Sequence, residues 1–384
     1  MSIKKKIMMV FGTRPEAIKM APLFHELARR NKYFEIEICI SGQHKEMLNQ
    51  VLEVFNIKPK INLNLMKNHQ DLFDLSASAL TGIRNVLKEH KPDIVLVHGD
   101  TTTSFIAALS SFYMNIPVGH IEAGLRTNNM KSPFPEEFNR QTISKISKWH
   151  FAPTEISKKN LLKDGLKEED IFVTGNTVID ALFYAINEIE TSEEVKTKLE
   201  KNLDDSLDFN WKKNKFILVT GHRRENFGDG FKEICNAIKD LSIKYKNIHF
   251  VYPVHLNPNV QDPVKSILKN ISNVHLIKPL EYQPFIHLLK HSYIVLTDSG
   301  GIQEEAPSLG KPVVVMRDTT ERPEAVEAGT VLLSGANREQ IVKCISNLVH
   351  NENEYASMSK SHNPYGDGNA CKRISDALVE LNYE

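Results

Sequence analysis

The chain has 384 residues, 41% of them hydrophobic, and its 48 basic and 48 acidic residues balance to a formal net charge of +0. That length exceeds what one hydrophobic core sustains, so two domains are expected, and dispersed neutral charge excludes an electrostatic footprint for nucleic acid or an anionic membrane. Cys39, Cys235, Cys344 and Cys371 lack CxxC spacing and no apolar run nears the roughly 20 residues that cross a bilayer, which excludes a disulfide framework, structural zinc and a membrane span, and points to a soluble protein of the reducing cytoplasm.

The basic start MSIKKK leads into a short apolar run without a small-residue cleavage site, so KIMMVFG reads as a first strand and not a signal peptide. FEIEICIS, DIVLVHG, IPVGHI, WHFAP and IFVTG follow as short apolar runs, each trailed by a helical pattern, the signature of buried parallel strands alternating with helices. At about 186 to 214 the charged stretch EIETSEEVKTKLEKNLDDSLDFNWKKN breaks the series and reads as a solvated helix and interdomain connection. FILVTG, IHFVYPV, VHLIKP, YIVLTDSGG, PVVVM and TVLLSG repeat the strand pattern, and a helix after the NPYGDG turn is expected to pack back on the first domain. The predicted fold is α/β: two Rossmann-like doubly wound domains, 1–186 with the helix 365–384, and 187–364, facing a central cleft.

In such sheets the chemistry lies just past the carboxyl ends of the strands. GTRPE, residues 12–16, opens a helix there; its backbone donors, the helix dipole and Arg14 suit a phosphate, although neither GxGxxG nor GxxxxGK[ST] spacing is present. Asp100 follows IVLVHG, Glu122 follows IPVGHI, and Glu136 lies in SPFPEEFNR. Asp100 or Glu136 alone reads more simply as a helix cap, but three acids with His120, Arg126 and Arg140 interleaved point to acid/base work. GHRREN gathers His222, Arg223 and Arg224 at a strand end, which calls for an anion; the alternative, a basic turn paired to Glu225, suits Arg224 best. In TDSGGIQEEA the amides of Ser299, Gly300 and Gly301 could hold a pyrophosphate and Glu305 a ribose diol. TERPE sets Arg322 at another helix start, beside the same cleft or paired to Glu321. Gln43, His44 and Gln70 read as turn and cap residues, and Tyr282, Pro284 and Phe285 as core, with a backbone amide there able to read a base. His98, His120, His222 and His255 lack ligand spacing, so no metal is predicted.

GTRPEAIKMAPL, HGDTTT, HIEAGLRT, PFPEEFNR, GHRREN, DSGGIQEEA and TERPEA, in this order and with the NPYGDG tail, resemble the non-hydrolysing UDP-N-acetylglucosamine 2-epimerases along nearly the whole chain. The resemblance implies a fold like that of GT-B glycosyltransferases, reversible epimerisation at C2 between UDP-GlcNAc and UDP-ManNAc by elimination of UDP to 2-acetamidoglucal and re-addition, no cofactor, and a homodimer. It implies that Asp100, Glu122 and Glu136 supply the acid/base groups, leaving open which acid serves which face, and that Arg140 orients them. Arg14, His222 and Ser299 to Gly301 fall to the diphosphate, Glu305 to ribose and the Phe285 region to uracil, with Lys19 and Arg322 in support. Some bacterial members are activated by UDP-GlcNAc at a second site; the matching positions are Gln43, His44, Gln70, Glu136, Arg223 and His255. A hydrolysing epimerase is the nearest rival, disfavoured by GTRPEAIKM and TERPEA; a GT-B transferase needs fewer acids, and a UDP-sugar sensor would be expected to have lost one of the three.

Overall fold

The computed structural model describes residues 4–42, 45–66, 70–320 and 322–381. It divides into two compact units, Met1–Phe183 with Tyr365–Glu384, and Tyr184–Pro364. The first alternates β1 (Lys5–Phe11), α1 (Arg14–Arg29), β2 (Phe34–Ile40), α2 (Lys45–Val54), β3 (Ile61–Asn62), α3 (Leu72–His90), β4 (Ile94–His98), α4 (Thr102–Tyr113), β5 (Val118–Ile121), α5 (Glu136–Ile146), β6 (Trp149–Ala152), α6 (Glu155–Lys163), β7 (Ile171–Val173) and α7 (Thr177–Thr191). The boundary falls inside α7. In the second unit come α8 (Glu193–Ser206), β8 (Phe216–Thr220), α9 (Asp229–Lys244), β9 (His249–Pro253), α10 (Pro258–Leu268), β10 (Val274–Ile277), α11 (Tyr282–His291) and β11 (Ile294–Thr297). It continues with α12 (Gly300–Ser308), β12 (Val313–Val315), α13 (Pro323–Glu327), β13 (Val331–Leu333), α14 (Arg338–His350) and α15 (Glu352–Lys360). The last helix, α16 (Ala370–Glu380), belongs to the first unit and packs on α1.

Both sheets are parallel, in the orders β3-β2-β1-β4-β5-β6-β7 and β10-β9-β8-β11-β12-β13. Central strands such as β4 and β8 are buried on both faces, which is why they read as unbroken Val/Ile/Leu runs and not as alternation. The order reverses between β1 and β4 in one unit and between β8 and β11 in the other. At each such switch point the two following loops diverge and leave a crevice, so GTRPE and HGD in the first unit, and GHRREN and DSGG in the second, occupy the positions where an open α/β sheet binds ligands.

Two features differ from the prediction. β3 pairs with β2 through only Cys39–Ile61 and Ile40–Asn62, too short a strand to leave a periodic signal. The charged stretch after 186 is not wholly solvated: Leu199, Leu203, Leu207 and Trp211 are buried, and Trp211 Nε1 donates to Asp204 at 2.8 Å, so a few apolar anchors clamp an otherwise polar segment. Among the described residues no helix is long and apolar enough to cross a membrane.

Candidate active site

In the first unit the acids lie beyond β4 and β5. Asp100 is not the cap of α4: Thr101 holds that position, its hydroxyl accepting the Ser104 N–H at 3.1 Å, and Asp100 is turned to the site. Its carboxylate pairs with the Arg140 guanidinium and keeps 24% exposure, while its carbonyl accepts Asn139 Nδ2 at 2.8 Å. Burial raises the Asp100 carboxyl above its ordinary value against the pull of Arg140, and Glu122 and Glu136 push the same way as burial, so the three carboxylates share one local field. Glu136 opens α5, whose cap is Pro135; its Oε2 is buried and takes no hydrogen bond among the described residues, so capping does not account for it either.

Glu122 sits in a left-handed backbone conformation (φ 62°), unusual for a residue with a Cβ. Its Oε2 accepts from Lys19 Nζ and, at 2.8 Å, from Asn176 Nδ2. Lys19, expected in support at the diphosphate, therefore grips an acid from the buried face of α1. His98 lies 3.9 Å from the same oxygen, but burial lowers it to about 4, so it stands there neutral and forms no ion pair. His120 and Arg126 are structural: His120 is fully buried and bonded to the Gly99 carbonyl at 2.7 Å, and Arg126 holds Asp164 and Ser144 at 2.9 and 3.0 Å.

The GTRPE turn departs from the expectation of a phosphate cradle. The amides of Gly12 and Thr13 donate to Glu16 Oε2 at 3.0 and 2.7 Å, so the anion at this helix start is the protein's own carboxylate. Glu16 Oε1 also accepts Thr101 Oγ1 and Ser104 Oγ at 2.6 and 2.8 Å, tying the loop after β1 to the start of α4. Arg14 remains at the first position of α1, with Pro15 second.

In the second unit a buried acid that the motifs did not single out organises the loops. Asp298 directly follows β11 and accepts the amides of His222 and Arg223, both at 2.9 Å, and Asn226 Nδ2 at 3.3 Å, fixing GHRREN against the start of α12. His222 lies with Nδ1 3.6 Å from Asp298 and its ring 5.6 Å from that of His255. Burial lowers the His222 imidazole below its ordinary value, Asp298 opposing. Glu225 pairs with Arg317 at 2.6 Å, not with Arg224, which is exposed.

At DSGG the amide of Ser299 is already spent on Thr297 Oγ1 at 3.0 Å, so it is no donor for an anion, and Gly300 and Gly301 are the positions whose backbone an anion can approach. A Cβ on Gly301 would meet nothing within 4 Å, whereas one on Gly300 would strike Arg322 Nη1 at 2.4 Å. Arg322 lies across that glycine and pairs with Glu304 at 2.7 Å; Glu321 lies outside the described residues. Glu305 accepts Tyr282 Oη at 3.2 Å, so Tyr282 carries a polar contact as well as core area. The Phe285 amide donates at 3.1 Å to the carbonyl of Glu281, the N-cap of α11, and is not offered to a ligand.

Of the second-site positions, Gln43 and His44 lie outside the described residues. Gln70 lines a cavity of about 280 Å³ with Met66, Asp71, Leu72 and Leu75. Arg223 and His255 adjoin His222. Glu16, Asn176 and Asp298 were missed; the ThrxxGlu spacing of a capping box could have found Glu16.

His98, His120 and His150, on adjacent strands, are held neutral by burial, at about 4, 3 and 4. All three values lie below the unfolded one near 6.5, so the unfolded chain takes up protons first and stability falls as pH drops from 6.5 toward 4. The expected slope is about 1.4 kcal/mol per pH unit for each histidine over that window. Urea midpoints at pH 7.5 and 5 should differ sharply, and equal midpoints would contradict this.

Comparison with known proteins gives the geometry its context. The model of the UDP-N-acetylglucosamine 2-epimerase family matches residues 25–379. The chain is 55% identical to the UDP-N-acetylglucosamine 2-epimerase of Campylobacter jejuni over 376 residues, 98% of each chain. The crystal structure of UDP-GlcNAc 2-epimerase from Neisseria meningitidis bound to UDP-GlcNAc superposes with a TM-score of 0.91 at 51% identity, covering 98% of this chain and 100% of that one. For the Methanocaldococcus jannaschii enzyme in complex with UDP-GlcNAc and UDP the TM-score is 0.81 at 34% identity, covering 97% and 99%.

Proposed function

The chain belongs to the UDP-N-acetylglucosamine 2-epimerase family, and from that premise we propose that it interconverts UDP-GlcNAc and UDP-ManNAc without releasing the free sugar. The observation that carries the proposal is the set of three carboxylates sharing one field, Asp100 held by Arg140, Glu122 by Lys19 and Asn176, and Glu136 at the start of α5. The C2–H bond is not adjacent to a carbonyl, so enolate chemistry cannot remove its proton. Breaking the C1–O bond can: the electron pair leaves with UDP, positive charge grows at C1, and a carboxylate takes the C2 proton. A C1=C2 double bond forms, giving 2-acetamidoglucal and UDP. Proton delivery to the opposite face of C2 and return of the UDP oxygen to C1 complete the epimerisation. Acid/base groups are therefore needed on both faces, and carboxylates also stabilise the charge developing at C1.

In the second unit the leaving diphosphate falls to Gly300 and Gly301 with His222, the ribose to Glu305 and uracil to the Phe285 region; in the first unit Arg14 is the candidate for a diphosphate contact. His222, lowered when no anion is bound, is brought back up by a diphosphate, so UDP binding takes up a proton between the two values. UDP should bind more tightly at pH 6 than at pH 8, and titration calorimetry in buffers of different ionisation enthalpy should show proton uptake that His222→Asn abolishes. Equal uptake in that variant would remove His222 from the diphosphate.

Activation by a second UDP-GlcNAc would use Gln43, His44, Gln70, Arg223 and His255 together with Glu136, and a homodimer is the assembly this reading expects. Cysteines without a disulfide suit a cytoplasmic enzyme supplying ManNAc units to a surface polysaccharide. Anion-exchange chromatography of UDP-GlcNAc incubated with the protein tests the reading: a mixture of the two UDP-sugars is expected, and free ManNAc with stoichiometric UDP would replace it with the hydrolysing reaction.

A further inference from the structure

Asn176 lies just past β7 and is 2% exposed, between Glu122 and the C-terminal segment of the chain. Its Oδ1 accepts the Val178 N–H at 3.1 Å, which fixes the orientation of the amide and leaves Nδ2 as the donor to Glu122 Oε2 at 2.8 Å. The backbone behind it is fixed from the far end of the sequence. The Asn176 N–H donates to the Tyr365 carbonyl at 2.7 Å. Gly175 (φ +89°) and Gly366 (φ +128°) stack backbone on backbone, a Cβ on Gly366 falling 3.5 Å from Gly175 Cα. Arg373 Nη1 donates to the Thr174 carbonyl at 3.2 Å. Asp180, one turn into α7, accepts the amides of Ala370 and Cys371 at 3.1 and 2.9 Å and so holds the start of α16. Segment 174–180 is thus gripped by 365–373 through the Thr174 carbonyl, the Asn176 N–H and the Asp180 carboxylate, which fixes where the Asn176 amide emerges.

We propose that Asn176 is a positioning residue for the reaction: with Lys19 it holds the Glu122 carboxylate in place, and the NPYGDG tail sets Asn176. The proposal rests on the reading of Glu122 as an acid of the epimerisation. A hydrogen bond from a neutral amide to a carboxylate stabilises the ionised form, so its loss shifts protonation of that carboxylate to higher pH as well as loosening its aim.

Asn176→Asp tests this with shape preserved: it keeps the acceptor for Val178 and replaces the donor facing Glu122 by a second carboxylate. The expected result at pH 7.5 is a kcat lower by about tenfold to a hundredfold, the range for losing one hydrogen bond to a charged group. KM for UDP-GlcNAc should stay within about twofold, since no substrate contact is removed. The acid limb of the kcat profile should move up by about one pH unit, the scale on which a neighbouring like charge acts. Asn176→Ala should move the limb in the same direction without adding charge, and UDP binding by calorimetry reports that either variant is folded. A folded Asn176→Asp protein with wild-type kcat, or with a lowered kcat and an unmoved limb, would overturn the positioning role. Glu122→Gln separates the premises: its wild-type turnover would remove Glu122 from the reaction and the proposal with it, whereas an inactive Glu122→Gln beside an unaffected Asn176→Asp overturns the role of Asn176 alone.

Discussion

Asp100→Asn should lower kcat by about a thousandfold, within the 10²–10⁴ range of a positioned acid/base group, while UDP binds with nearly unchanged affinity. The substitution is isosteric and its amide oxygen can still accept from Arg140, which also has Glu137 at 3.4 Å, so local structure should survive. What is lost is the exchangeable carboxyl proton, in the acid whose proton affinity burial and two neighbouring carboxylates raise. The proposed diphosphate contacts lie on other residues, so the nucleotide should still bind. Steady-state kinetics and UDP calorimetry check the two halves; unchanged kcat would take Asp100 out of the chemistry, and parallel loss of UDP affinity would make it a binding group.

Glu16→Ala should be the most destabilising single change outside the apolar cores, by about 3–5 kcal/mol. The amides of Gly12 and Thr13 and the hydroxyl of Thr101 converge on this carboxylate, with the Ser104 hydroxyl placed between it and the His98 carbonyl, and the residue is 2% exposed. Alanine supplies no acceptor, and buried donors left without one cost their desolvation as well as the bond. For a unit of this size that corresponds to roughly a 10 °C drop in melting temperature. Glu16→Gln retains one acceptor oxygen and should fall between. The loops after β1 and β4 share this anchor, so calorimetric melting of Glu16→Ala should show the first unit destabilised; a wild-type melting profile would mean these bonds contribute no net stability.

How far the sequence reached follows from where each interaction is encoded. Strands such as ILVT-type runs announce themselves because burial on both faces leaves no polar position, and the loops at the switch points are legible because the acids and glycines follow those runs directly. Asp100 and Glu122 are legible on that basis and Glu136 by its place in the SPFPEEFNR loop that follows, and both Glu122 and Glu136 act on the Asp100 carboxyl. What the sequence hid is partner choice. Lys19 has its carboxylate 103 positions away, and Asp298 caps amides 76 and 75 positions away. No local pattern selects such pairs. The amides of the GTRPE turn looked available to a phosphate until Glu16 claimed them, and the Ser299 amide until Thr297 did. β3 escaped because two paired residues are too few for periodicity.

Proton NMR of the purified protein with UDP-GlcNAc in D2O tests the central claim most directly, since elimination must exchange the C2 proton with solvent and return it to either face. The account predicts growth of UDP-ManNAc with deuterium at C2 of both UDP-sugars at equilibrium. UDP-ManNAc that retains protium at C2, or an unchanged UDP-GlcNAc spectrum, would contradict it.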